Sequence, residues 1–540
     1  MVASASGLAS QVGVDIMKRG GNAVDAAVAV GLALAVVYPE AGNLGGGGFM
    51  LIRLADGRSK AIDYREVAPA LAFRTMYLDK SGSVIKGASL VGYRAVGVPG
   101  TVAGLALAQR KYGKLSWRQV LDPARRLAAD GFVVSPALAQ SLHNATQTPL
   151  GRFAESRRIF LRGNKPFQAG EVLRQPDLAA TLERLATNGP REFYTGRTAR
   201  LLARDMGAHG GLVTLADLRR YRAVERTPLR GTYRGVGVLT MPPPSSGGVA
   251  LLEMLNILER HDLGGMGYQT AATDHLLIEA MRRAFADRSA FGGDPDFVRV
   301  PVRGLTSKAY AAQVDKTIRS AEATPSANVG HGQPLAYESP ETTHFSVVDA
   351  QGNAASNTYT LNFLYGSGVT AVGTGVLLND EMDDFASKPN TPNGFGLIQG
   401  ENNAIAPRKR PLSSMTPTIL TQNGKLFLVI GSPGGPTIIN TVLEVIVNVL
   451  DHHMTLAQAV AAPRLHHQWL PDLIRFEPSA VPPPVRSRLE AEGHRFAPEV
   501  GVFPGSPTWG DAEGIYVDPG TGEKDGASDP RSKDARAVGY

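Results

Sequence analysis

The chain of 540 residues contains no cysteine. That excludes disulfides, cysteine nucleophiles and thiolate metal sites, and it fits an oxidising compartment. Membrane-length apolar runs are also missing. The continuous run Ala26 to Val37, bounded by Asp25 and Tyr38-Pro39, falls short of the roughly 20 residues a bilayer span needs and reads as a buried helix. Long runs of one charge are absent too: the net charge is +7, yet Arg408-Lys409-Arg410 is short and isolated. That argues against nucleic acid as a partner. The glycines of Asn43 to Gly48 precede a strand, and no Gly-Lys-Ser/Thr follows, so they do not read as a phosphate loop. His452-His453 and His466-His467 lack metal-ligand spacing. No G-x-S-x-G elbow occurs. The opening Met1-Val2-Ala3-Ser4 lacks the basic and apolar regions of a secretory signal, so the chain is expected to be a mature or truncated form.

What is present is a large soluble α/β chain, 43% hydrophobic and 19% charged. Its length suggests two or more domains or one large sandwich. Residues 6–18 and 23–37 read as two helices broken at Gly20-Gly21, with Asn22 capping the second. Strands are predicted at 49–54 and 60–65, turned by Asp56-Gly57. Thr101 to Tyr221 reads as mostly helical. A strand at 230–240 leads through Met241 to Gly248 into helices near 249–260 and 270–288. Ser320 to Pro340, rich in Ala, Ser, Pro and Gly without an apolar period, reads as a flexible linker.

At Thr342 the pattern becomes β. Thr343, Phe345 and Val347 alternate with His344, Ser346 and Val348. A three-residue loop, Ala350 to Gly352, then returns the chain through Ala354 to Leu361. Gly352 supplies the left-handed residue of a G1-bulge turn. In the resulting register Asp349 faces Asn353 and Thr342 faces Thr360. A hydroxyl residue at this point suggests a nucleophile exposed by chain cleavage, with its own α-amine as base. By itself the stretch also reads as an ordinary polar hairpin.

Three further stretches carry chemistry. The Arg65 side chain suits bidentate capture of a carboxylate, or simple solvation at a strand end. Asp380-Glu381-Met382-Asp383-Asp384 lacks Ca²⁺-loop spacing and reads as an acidic loop. Gly434-Gly435, between the strand 425–430 and a helix from about Thr437 to Leu450, places backbone N–H groups at a helix start. That suits an oxyanion hole or a tight turn alike.

The stretch Thr342-Thr343-His344-Phe345-Ser346-Val347-Val348-Asp349 resembles the start of the small subunit of γ-glutamyltranspeptidases, which belong to the N-terminal nucleophile hydrolases. Asp63 to Glu66, Leu378 to Phe385, Arg410 to Met415 and Gly431 to Gly435 match further motifs of that family, in its order and spacing. The likeness runs from near residue 3 to the C-terminus.

The resemblance implies a four-layer αββα sandwich built from residues 1–341 and 342–540 of one precursor. It implies self-cleavage between Glu341 and Thr342, then transfer of a γ-glutamyl group from glutathione or a related amide to water or an amino-acid acceptor. Thr342 would be the nucleophile and Thr360 would orient it. Gly434 and Gly435 would stabilise the oxyanion. Arg65, Ser413 and Ser414 would hold the donor's α-carboxylate, and Asn362, Glu381 and Asp384 its α-ammonium. Lys388 to Ala404 matches a lid loop, with Phe395 where bacterial members often carry Tyr. No cofactor or metal is implied. The two pieces would stay associated, in the periplasm or secreted. Two other readings stand beside it: a β-lactam (glutaryl or cephalosporin) acylase of the same superfamily, against which Asp384 argues, and a non-catalytic periplasmic solute-binding protein.

Overall fold

The computed structural model describes residues 1–162, 164–334, 346–498 and 509–540. The apolar alternation of the strands builds two antiparallel sheets. In order, the first holds Arg536–Val538, Val2–Ser4, Ser346–Val348, Ala354–Thr360, Gly47–Arg53, Ser59–Asp63 and Val224–Arg226. The second holds Lys524–Ser528, Glu513–Val517, Lys425–Ile430, Thr418–Gln422, Val236–Thr240 and Leu229–Tyr233. Side chains of alternate residues point to opposite faces, and here both faces are covered. Phe49 and Leu51 pack between the sheets against Leu239, Ile419 and Val429. Met50 and Ile52 point outward into a helical layer that includes Ala23–Val37 and Thr101–Tyr112. On the far side, Gly247–Leu258, Ala271–Phe291 and Thr437–Leu450 cover the second sheet. The result is the four-layer αββα sandwich. Strands from before and after residue 341 interleave within the first sheet.

Local chemistry explains the element ends. Asn22 accepts hydrogen bonds from the amides of Val24 and Asp25, and Asp25 answers by accepting from the Asn22 amide at 3.0 Å. This is a closed capping box. The central hairpin has the expected register: Val348 pairs with Ala354, Val347 with Ala355 and Ser346 with Ser356. Gly352 has φ 84°, and its amide donates to Asp349 O at 3.3 Å. Two sequence expectations change. The strand at 230–240 is two strands, because Arg234 and Gly235 (φ 51° and 77°) form the turn. Arginine at a left-handed position gives no turn signal. The strand carrying Arg65 ends at Asp63, so Arg65 sits just past it.

The segment read as a linker is anchored as far as it is described. Ser326 is fully buried, and its amide donates to Asp472 Oδ2 at 2.8 Å. The Trp469 indole N–H donates to Ser326 O and Val329 O at 3.0 and 2.9 Å. The Gly332 amide donates to Asp287 Oδ1 at 2.7 Å. Residues 335–345, including the Glu341–Thr342 bond, lie outside the described residues.

Candidate active site

A cavity of about 520 Å³ opens where the strand Ala354–Thr360 ends. Thr360, Asn362, Glu381 and Asp384 line it, and so do Ser413, Ser414, Phe395, Gly434 and Gly435. Five separate stretches of sequence thus meet at one surface. Thr342 lies outside the described residues.

Arg65 lies beneath this surface and does not line it. Its side chain is fully buried and pairs with both Glu381 and Asp384. It also donates from Nε to Pro411 O at 3.2 Å and from Nη2 to Leu412 O at 3.3 Å. A third carboxylate, Glu66, stands 3.7 Å from Nη1 with both oxygens unpartnered. Burial alone would lower the Arg65 pKa, but the facing Glu381, Asp384 and Glu66 raise it, so the guanidinium stays charged. One cation cannot neutralise three buried carboxylates. Burial pushes Glu66 well up and Glu381 up to about 8, with Arg65 opposing in each case. Burial thus favours the neutral form of Glu66 in this cluster. Burial raises Asp384 as well, against the pull of Arg65.

The Ser413-Ser414 pair is held by its backbone. Ser413 O accepts from Ser245 Oγ at 2.9 Å and from Ser246 Oγ at 2.8 Å. Ser414 Oγ accepts from Arg288 Nη2 at 3.0 Å. Sequence reading missed Arg288: it sits at the end of the long helix Ala271–Phe291, in no recognisable motif. Its Nε donates to Ser246 Oγ at 2.8 Å, while Nη1 has no hydrogen-bond partner among the described residues. Burial lowers its pKa to about 10, so it remains a cation beside the Ser414 hydroxyl.

Asn362 adopts φ 85°, and its amide donates to Thr360 Oγ1 at 2.8 Å. Its Nδ2 donates to Asp380 O at 3.2 Å. The Phe395 ring stacks on Phe363, with centroids 4.3 Å apart and planes 11° apart. It lies directly over Gly435, where an added Cβ would come within 2.8 Å of Phe395 Cε1. Gly434 and Gly435 have φ 131° and 57°, conformations suited to glycine. Their amides make no hydrogen bond among the described residues. They precede the helix Thr437–Leu450, whose dipole favours negative charge at this end. The histidine pair 466–467 is structural: His466 Nδ1 lies 2.7 Å from Asn440 Nδ2, and His467 Nε2 lies 3.2 Å from Asp472 Oδ1. Among the described residues no group of His, Cys, Asp and Glu is arranged to hold a metal.

Residues 9–539 match the protein family described as Gamma-glutamyltranspeptidase. The chain belongs to the γ-glutamyltranspeptidase family. Over 540 residues it is 50% identical to the glutathione hydrolase proenzyme of Escherichia coli (strain K12), covering all of this chain and 92% of that one. Among solved structures it resembles a cephalosporin acylase from Bacillus halodurans, with TM-score 0.87 and 29% identity, covering all of this chain and 95% of that one. It also resembles the γ-glutamyltranspeptidase of Helicobacter pylori, with TM-score 0.61 and 44% identity, covering 63% of this chain and 97% of that one. This γ-glutamyltranspeptidase-family chain is therefore an enzyme of the N-terminal nucleophile hydrolase fold. No helix among its described residues is long and apolar enough to cross a membrane.

Proposed function

We propose that the chain cleaves itself between Glu341 and Thr342 and then transfers the γ-glutamyl group of glutathione and related amides to water or to an amino-acid acceptor. The observation that carries this reading is the meeting of Asn362, Glu381, Asp384, Ser413 and Ser414 with the Gly434 and Gly435 amides, unpaired among the described residues, in one cavity at the end of the strand ending in Thr360. On this reading Thr342 is the nucleophile and Thr360, at the end of that strand, orients it.

Cleavage gives Thr342 a free α-amine, with an ordinary pKa of about 7.7–8.0. That amine takes the Oγ proton as Oγ attacks the γ-carbonyl. The oxyanion forms against the Gly434 and Gly435 amides. The amine then protonates the departing nitrogen, and water or an amine resolves the ester. Donor recognition is an exchange of ion pairs. Arg65 already pairs with Glu381 and Asp384. An incoming α-ammonium competes for those carboxylates together with Asn362. The α-carboxylate competes for the guanidinium, assisted by Ser413 and Ser414. A zwitterion satisfies both sides, whereas a single charge leaves one buried partner unmatched. The pieces 1–341 and 342–540 stay together, because their strands interleave. A periplasmic or secreted setting belongs to this proposal and fits the cysteine-free sequence.

The test is a denaturing gel with intact mass, followed by a glutathione-hydrolysis assay. Wild type should run as two pieces, the second beginning at Thr342, and release glutamate. Thr342→Ala should remain one inactive chain. An intact chain in an active sample, or a cut at another bond, would overturn the proposal.

A further inference from the structure

The cavity extends past the donor corner to a second end, lined by Tyr38, Glu40, Ser141, Asp511 and Ser532. Nothing in donor binding uses these groups. Asp511 stands out among them: it is 3% exposed, and Oδ1 has no hydrogen-bond partner among the described residues. An unsatisfied buried carboxylate oxygen opposes folding and calls for a functional or structural reason. The backbone fixes it beside the oxyanion glycines. The Asp511 amide donates to Ser432 Oγ at 2.9 Å. The preceding Gly510 packs against Gly434, where an added Cβ would lie 3.2 Å from Gly510 Cα.

The charges facing Asp511 are Asp529, Arg464 and Glu40, none of them from the donor corner, and Ser532 donates a hydrogen bond to it. Arg464 is spent on Asp529 and on Trp509 O. Glu40 adds a second, half-buried carboxyl, bonded by Ser141 and Tyr38. The cavity thus has acidic groups at the donor corner and again at Asp511, beside the glycine pair, and at Glu40; Arg531 and Lys533 also line it. Water, as an acyl acceptor, needs no acidic end. A primary ammonium does, because it must be desolvated and then deprotonated before it can attack.

We infer that this end binds the amine of the acceptor and that Asp511 takes its proton, a reading that rests on the transfer reaction proposed above. The acceptor enters as R–NH₃⁺ and gives one proton to the Asp511 carboxylate. The free R–NH₂ attacks the acyl carbon of the Thr342 ester. The C–N bond forms and the C–Oγ bond breaks. The second amine proton passes through the Thr342 α-amine to Oγ. The products are the γ-glutamyl amide and free Thr342, and Asp511 returns its proton to solvent.

The test uses γ-glutamyl-p-nitroanilide as donor, with glycylglycine or hydroxylamine as acceptor. Hydroxylamine is neutral at neutral pH, so it brings no ammonium to bind and no ammonium proton for Asp511 to take; its one proton lost on attack follows the Thr342 route. For Asp511→Asn the transfer-to-hydrolysis ratio with glycylglycine should fall about 10- to 100-fold, the weight of one charge-assisted hydrogen bond, with a raised KM for glycylglycine. The ratio with hydroxylamine should move less than half as far on a logarithmic scale. Equal losses with both acceptors, or an unchanged glycylglycine ratio, would overturn the inference. Donor hydrolysis by wild type tests the proposed function separately. If Asp511→Asn does not fold, Glu40→Gln carries the same comparison at the same end of the cavity.

Discussion

Asp384 faces two ways: it pairs with Arg65 inside the protein and lines the cavity on the other side. Its side chain is only 13% exposed, so what it meets there is weighed in a poorly screened environment. A γ-glutamyl donor brings an α-ammonium to it, and a glutaryl amide does not. A charge-assisted hydrogen bond is worth about 1.5–3 kcal/mol, and the unmatched carboxylate adds a desolvation cost against the glutaryl chain. Asp384→Asn keeps the shape and removes the charge. The ratio of kcat/KM for a matched γ-glutamyl and glutaryl anilide pair should fall about 10-fold or more, while self-cleavage stays intact. An unchanged ratio would mean that Asp384 does not read the amine and would favour an acylase reading of the pocket. Glu381 and Asp384 were legible in the sequence because they sit in a motif. Arg288 was not: a helical arginine looks like a solvated charge until the fold buries it against Ser414.

Among the elements, the hairpin from Ser346 to Thr360 was readable to the residue, because a three-residue loop with glycine at its left-handed position leaves only one register. The segment before it was not. Its Ala, Ser, Pro and Gly composition signals flexibility, and the groups that anchor it belong to distant elements. The helix Ala271–Phe291 supplies Arg282 and Asp287, and the loop after His467 supplies Trp469 and Asp472. Arg282 bonds both Ser326 Oγ and Asp472, locking the segment to that loop. The same loop reaches Phe395, because Gln468 Nε2 donates to Phe395 O at 3.4 Å. Trp469→Phe replaces the indole with a smaller ring and deletes the single N–H that both carbonyls share, a loss of about 1–3 kcal/mol including the lost packing. Amide exchange at Ser326 and Gly332 should therefore speed up by about 5- to 100-fold. Exchange in the helix Thr437–Leu450 should not change. Equal rates at Ser326 in both proteins would show that the indole does not hold the segment.

For the whole molecule, the many buried ionisable groups set how stability depends on pH, and they fall into two opposed sets. Burial lowers His466, His467 and His494 to about 3, 4 and 3. Burial raises Glu444 and Glu381 to about 8, and Asp274 and Asp511 to about 7. For the histidines the unfolded chain binds more protons between about pH 4 and its ordinary pKa near 6.5, so their contribution to stability is lost as pH falls through that window. For the carboxyls the folded chain binds more protons from about pH 4 up to 7 or 8. Their contribution is lost as pH rises toward the folded value, at up to about 1.4 kcal/mol per pH unit and group. Below about pH 6.5 the two sets oppose each other. Above it the carboxyls dominate: the Met1 α-amine, lowered by burial to about 6, opposes them as a single group, while Glu66, Glu253, Asp380 and Glu513, raised further by burial, act in the same direction as the other carboxyls. The thermal midpoint of the one-piece Thr342→Ala chain should therefore fall steadily from pH 6.5 to 8.5. Glu444→Gln, which cannot ionise in either state, should flatten that decline by about one group's slope over pH 6.5 to 8. Scanning calorimetry of both chains across the range checks it. A midpoint that rises with pH would mean that these carboxyls are ionised inside the fold, and the charge assignment around Arg65 would fall with it.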